Sequence, residues 1–140
     1  MNPIDRQTLA RKSEYLRKQL QLLESYRMMP KETILSDLEK RYAVERLLEL
    51  CIQSVIDIGR LLVMLEDWRG IRDERDAFVI LTERNIISPE LANRLAQARG
   101  FWNILVHEYA EIDPQLLHQH LQMDVSDLWE FAECIAKFAK

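Results

Sequence analysis

The chain has 140 residues, enough for one domain with a real hydrophobic core. Three glycines and four prolines, against abundant Leu, Glu, Arg, Ala and Ile, exclude a sheet protein or a disordered chain and point to an all-helical one. A net charge of −4 and a pI near 5.4 exclude nucleic-acid binding by bulk charge, so any such contact must come from a local basic patch or a cleft.

Apolar residues recur at helical spacing from 5 to 27, through Leu9, Leu16, Leu20 and Leu23, and Pro30 closes that segment. The pattern then predicts one long helix from Glu32 to Glu66. Along it Val44, Leu48, Cys51, Val55, Ile58, Leu62 and Leu65 alternate steps of four and three, a seam that calls for another helix against it. Leu47, Leu50 and Leu61 widen the apolar face, and Gly59 offers a bend. Trp68-Arg69-Gly70 reads as a turn, and a short helix from Asp73 to Arg84 directs Ala77, Phe78 and Leu81 inward. Ser88-Pro89-Glu90 is a helix start, with a capping serine, proline at the first helical position and an acid in the first turn. Asp113-Pro114 opens a short helix in the same way, and a final helix covers Val125 to Ala139, with Leu128, Phe131, Ile135 and Phe138 inward. The whole is expected to be a single domain over 1–140, an antiparallel bundle of five or six helices.

The N-terminal MNPIDRQTLARKSEYLRK has no hydrophobic segment of the signal-peptide kind. The longest apolar run, LLVML at 61–65, is far short of the ~20 residues that span a bilayer. A cytoplasmic protein without membrane contact is expected, and with it reduced, buried thiols at Cys51 and Cys134.

The helix from Pro89 carries two stripes. Leu91, Leu95, Ala98, Trp102, Leu105 and Tyr109 step by four and three and read as its core face. Arg99, Asn103 and His107 are spaced four and four, so they share a second face one turn apart. Arg is a permanent cation suited to phosphate oxygens, His moves a proton near neutral pH, and Asn both donates and accepts. Such a set can act on a phosphodiester without a metal, the cation steadying developing charge and the imidazole carrying the proton. Taken alone the stripe is weak evidence, because an Arg, an Asn and a His on a wet face are common in structural helices.

The string GFWNILVHEY (100–109) resembles the signature of the HEPN superfamily, and specifically of the HepT-type toxins of bacterial toxin–antitoxin pairs. That signature is Arg, four residues, His, one residue, Tyr, within Gly-Phe-Arg-Asn-x-Leu-Val-His-x-Tyr. Gly100, Phe101, Asn103, Leu105, Val106, His107 and Tyr109 match it in register. Upstream, RYAVERLLELCIQSVIDIG (41–59) is similar to the family's long second helix, and RDAFVILTERNIISPELANRL (75–95) to its lead-in, so the likeness covers about residues 31–113.

One residue departs from it. Trp102 stands where the family's arginine belongs, and an indole has no charge and a single donor with which to hold a phosphate. Three explanations stand: a variant in which a toxic ribonuclease was disarmed, a natural inactive relative kept for binding, or Arg99 supplying the missing cation. On an ideal helix Arg99 lies closer in azimuth to His107 than position 102 does.

The resemblance implies a two-fold homodimer whose paired motif helices form a composite, metal-independent ribonuclease site with no cofactor. There the ribose 2′-OH of an RNA, tRNA or mRNA, attacks the adjacent phosphate and leaves a 2′,3′-cyclic end. His107 would be the acid or base, Asn103 an orienting group, and position 102 the seat of the stabilising charge. The resemblance further implies an MNT-type nucleotidyltransferase antitoxin that transfers AMP from ATP onto Tyr109, putting negative charge where the RNA backbone must pass. The competing class is a non-catalytic helical dimer that binds such a partner or a nucleotide.

Other candidates carry less. His118 and His120, two apart on a helix, point to opposite sides and suit no metal. The charges from Arg69 to Asp76 read as a solvated turn, with an RNA or antitoxin contact as the alternative. Gln53 and Asp57 form an (i, i+4) polar pair, and Glu108 reads as exposed.

Overall fold

The leucine spacing at the N-terminus becomes α1 (Pro3–Arg27), which buries Leu9, Leu16, Leu20 and Leu23. Asn2 caps it, its Oδ1 accepting from the Asp5 N–H at 2.8 Å. The structure, a computed structural model, describes residues 1–70, 73–107 and 111–140. The described residues form six helices, and the remaining five are α2 (Lys31–Leu35), α3 (Leu38–Leu65), α4 (Ala77–Glu83), α5 (Pro89–His107) and α6 (Pro114–Ala139).

Three boundaries correct the sequence reading. The single helix expected from Glu32 to Glu66 is two, broken at Ser36-Asp37. Asp37 leaves the helical path so that its Oδ1 accepts from the N–H groups of Glu39 and Lys40, starting α3 afresh. The helix expected from Asp73 begins only at Ala77, because Asp76 caps it through the Phe78 N–H at 2.8 Å. The last two helices are one of 26 residues. Asp124, a residue type that often starts a helix, instead faces inward and takes the His120 imidazole one turn earlier.

α3 is the spine. Its seam is buried from Val44 to Leu62, with Leu65 half-buried, but Ile52, Ile56 and Val63 are buried too. The extra width lets it pack on α1, α2, α4, α5 and α6. The helix runs through Gly59 without a break. A Cβ there would lie 3.2 Å from Phe78 Cε1, so the glycine admits the α4 ring close to the α3 backbone.

Cross-helix contacts fix the directions. The Met1 ammonium lies 3.9 Å from Glu66, so α1 starts where α3 ends. Arg6 donates to the Ala139 carbonyl and Arg27 to the Ser126 hydroxyl, so α1 also runs antiparallel to α6. Arg94 pairs with Asp127 and Glu130 while Phe101 meets His120, which sets α5 antiparallel to α6. Edge-on aromatic pairs close the core, Trp68 on Phe138 and Phe78 on Phe131. No described helix is long and apolar enough to cross a membrane.

Candidate functional site

The motif helix α5 starts as its sequence dictates, with Ser88 Oγ accepting from the Leu91 N–H at 3.0 Å. Its inner face is Leu91, Leu95, Ala98 and Phe101. This corrects the expected stripe at its C-terminal end, where Phe101 rather than Trp102 takes the buried position. The cause lies on α6. His120 stacks flat on Phe101, with centroids 3.8 Å apart and planes 2° apart, and draws that ring inward. Trp102 and Leu105 are half-buried beside it, packed on the margin of the core.

Trp102 therefore sits between two environments. Its rings pack on the core, and its Nε1–H is buried with no hydrogen-bond partner among the described residues. Leaving such a donor unmet costs on the order of 1–3 kcal/mol. It brings no charge to the helix surface.

Asn103 and His107 are both exposed, one turn apart on one face, with His107 the last described residue of α5. Arg99 shares their face but is already engaged. Its guanidinium pairs with both carboxylate oxygens of Asp76, and it lies 4.7 Å over the Phe78 ring. That hydrogen bond holds the Asp76 carboxyl below the ordinary carboxylate value. Arg99 can act as a cation elsewhere only by leaving Asp76. Glu108 and Tyr109 lie outside the described residues.

Asp76 and Phe78 as the seat of Arg99, and His120–Asp124 as the backing of Phe101, are missing from the sequence reading. The His120–Asp124 spacing of four on a helix is a local signal of a pair. Nothing local ties Arg99 to a residue 23 positions earlier. Among the described residues no group of His, Cys, Asp and Glu is arranged to hold a metal.

A family profile described as ribonuclease HepT-like matches residues 16–135. The chain belongs to that family. It is 35% identical over 102 residues, 72% of its length, to the tRNA nuclease HepT of Aphanizomenon flos-aquae, of which the match covers 69%. To the mRNA nuclease HepT of Shewanella oneidensis it is 27% identical over 88 residues, covering 63% of this chain and 66% of that one. Among solved structures, the tri-AMPylated HEPN toxin of Shewanella oneidensis, in complex with MNT antitoxin, superposes with a TM-score of 0.79 at 22% identity. The match covers 98% of this chain and 99% of the other. That likeness establishes the HEPN helical fold. Within the HepT-like family, then, α5 is the helix that carries the motif string. Its outward face presents Asn103 and His107 without a free arginine beside them among the described residues.

Proposed function

We propose that the chain is the toxin-type subunit of a HEPN/MNT toxin–antitoxin pair, built as a metal-independent endoribonuclease and muted by Trp102. The observation that carries this reading is the arrangement on α5. Asn103 and His107 are exposed together, while the residue at the family's arginine position packs on the core margin with no charge to offer.

Two such helices, one from each protomer of a two-fold dimer, would line a cleft for RNA, whether tRNA or mRNA. His107 of one protomer takes the proton from a ribose 2′-OH as the oxygen attacks the adjacent phosphorus, and the 5′-oxygen of the next nucleotide leaves. The proton is returned to that leaving oxygen by an imidazolium, and the products are a 2′,3′-cyclic phosphate and a free 5′-hydroxyl. Asn103 orients the phosphate through its amide. The negative charge that gathers on the phosphate oxygens needs a cation, and a well-placed one contributes several kcal/mol, of order 10²–10³ in rate. Trp102 supplies none.

An antitoxin of the kind named with the Shewanella structure, an MNT antitoxin read here as a nucleotidyltransferase, is the partner this reading assigns, with AMP transfer onto Tyr109 as the means of neutralisation. Each added phosphate brings negative charge to the cleft that RNA must enter. The engagement of Arg99 with Asp76 favours a second reading, a non-catalytic dimer retained to bind that partner or a nucleotide, because both arginine positions are then out of play.

The test compares the chain with its Trp102→Arg variant on total cellular RNA in EDTA. Cleavage only by the variant is the expected result. Cleavage by both moves the cationic role to Arg99, and cleavage by neither, with both proteins folded, overturns the ribonuclease reading in favour of the binding dimer.

A further inference from the structure

A polar cleft of about 300 Å³ opens between the C-terminal half of α3, the segment before α4 and the middle of α5. Arg60, Arg69, Arg75 and Arg99 line it against only two acids, Glu74 and Asp76. Asp73 and Glu83, which hold Arg75, bring the local balance to neutral among the described residues, so the cleft is less acidic than the chain as a whole, whose net charge is −4.

The four arginines are not equivalent. Arg75 is saturated by Asp73 and Glu83. Arg69 braces the wall, donating from Nη1 to the carbonyls of Asp73 and Arg75. Arg60 is exposed and makes no hydrogen bond or ion pair among the described residues. Arg99 is held by Asp76, yet its Nε–H is buried and unmet among the described residues. The cleft thus pairs an uncommitted guanidinium with one whose present partner is an anion supplied by the chain itself.

Planar guanidinium forks match phosphate oxygens in a bidentate way, and the cleft is polar rather than apolar, so it suits a phosphate better than a base or an acyl chain. Its position says which phosphate. Arg99 is eight residues before His107 on the same helix, about 12 Å at the α-helical rise. With Arg99 held at the cleft by Asp76, that spacing suits a neighbouring phosphate on the same strand.

We propose that this cleft is a subsite for an RNA backbone phosphate flanking the reacting one, with Arg60 and Arg99 as its ligands and Asp76 as the internal anion it displaces. The inference rests on the reading of α5 as an RNA-processing helix. Asp76 is both a cap and a plug. It keeps α4 started through the Phe78 N–H and occupies Arg99 until a competing anion arrives. A backbone phosphodiester, singly charged on two non-bridging oxygens that match the guanidinium fork as a carboxylate does, is that anion, and Arg60 offers it a second cation.

The experiment uses the full chain with Trp102 in place, so that binding is read without cleavage. A fluorescein-labelled single-stranded oligoribonucleotide is titrated in EDTA at several salt concentrations and followed by anisotropy. Arg60→Ala is expected to weaken binding about tenfold and to lower the slope of log K against log salt by about one. Asp76→Asn keeps the cap acceptor, frees Arg99 and is expected to tighten binding by a similar factor. Unchanged affinity and slope in both variants, with circular dichroism showing both folded, would overturn the proposal, and so would absence of RNA binding by the parent chain. Failure of Trp102→Arg to cleave would sink the ribonuclease reading alone, since the anisotropy result does not depend on turnover.

Discussion

The His120 ring lies flat against Phe101, 3.8 Å between centroids, while its Nδ1 is hydrogen-bonded to the Asp124 carboxyl group at 2.9 Å. Asp124 is the one polar residue among the described residues that is buried, at 2% exposure. The pair therefore answers two needs at once. It satisfies a carboxyl group sunk in the core and supports the aromatic ring on which the C-terminal half of α5 rests.

His120→Ala should accordingly lower stability by about 2 kcal/mol, because it leaves a buried carboxyl group without its hydrogen-bond partner and removes the ring stacked on Phe101. A double change to His120→Leu and Asp124→Leu should recover most of the loss. Urea unfolding of the three variants checks this. A loss below about 1 kcal/mol in the single variant would show that the Asp124 carboxyl group finds another partner or solvent.

Cys51 yields a pH dependence. Burial pushes its thiol up from 9.0 to about 12, so from pH 9 upward the unfolded chain ionises this group while the folded chain does not. The folded state then holds the extra proton, and stability falls as pH rises, fully present below about 9 and lost progressively toward 12. The slope assigned to this one residue approaches 1.4 kcal/mol per pH unit at most, or roughly that. Comparing parent and Cys51→Ala by urea unfolding across that range isolates it, since other alkaline groups titrate in both. Parallel curves would refute the assignment. In native chain at pH 8, Cys134, half-buried and also raised by burial, should alkylate well before Cys51.

What the sequence made legible is what local chemistry decides. Four leucines at steps of seven, four and three found the inner face of α1, Ser88-Pro89 found the start of α5, and the motif string singled out α5 as the candidate site helix. The misses share one cause. Asp37, Asp76 and Asp124 are the same residue type in helical surroundings, yet the first two cap helices and the third is a buried partner for His120. Side-chain chemistry permits both uses, and only the neighbouring element decides between them. Phe101 displaced Trp102 from the core for the same kind of reason, a ring on another helix. Arg99, legible as a candidate cation, carries a partner contributed from before α4 that no periodicity on α5 could disclose.

Tyr109 tests the regulatory half of the proposed function. Tyr109→Phe removes the phenolic oxygen that AMP transfer requires, so co-incubation with an MNT-type nucleotidyltransferase and labelled ATP should leave the variant unlabelled while the parent chain takes up AMP. Equal labelling of both would move the acceptor to another hydroxyl. The substitution removes a single oxygen, so a thermal melt of the variant should stay within about 1 kcal/mol of the parent.

His107 tests the chemical half. In a Trp102→Arg background the restored guanidinium can steady phosphate charge, but proton transfer still needs a group that titrates near neutrality, and His107 is the exposed one on the same face as Asn103. Adding His107→Ala should reduce cleavage at least 10²-fold, within the range that a positioned acid–base contributes. It should leave stability within about 0.5 kcal/mol, because an exposed side chain carries little packing. His107→Gln separates the two duties of the imidazole. Glutamine keeps a hydrogen bond to RNA but cannot shuttle a proton, so oligonucleotide affinity should survive while turnover does not. Retained turnover in the glutamine variant would assign proton transfer to another residue and leave His107 a binding group.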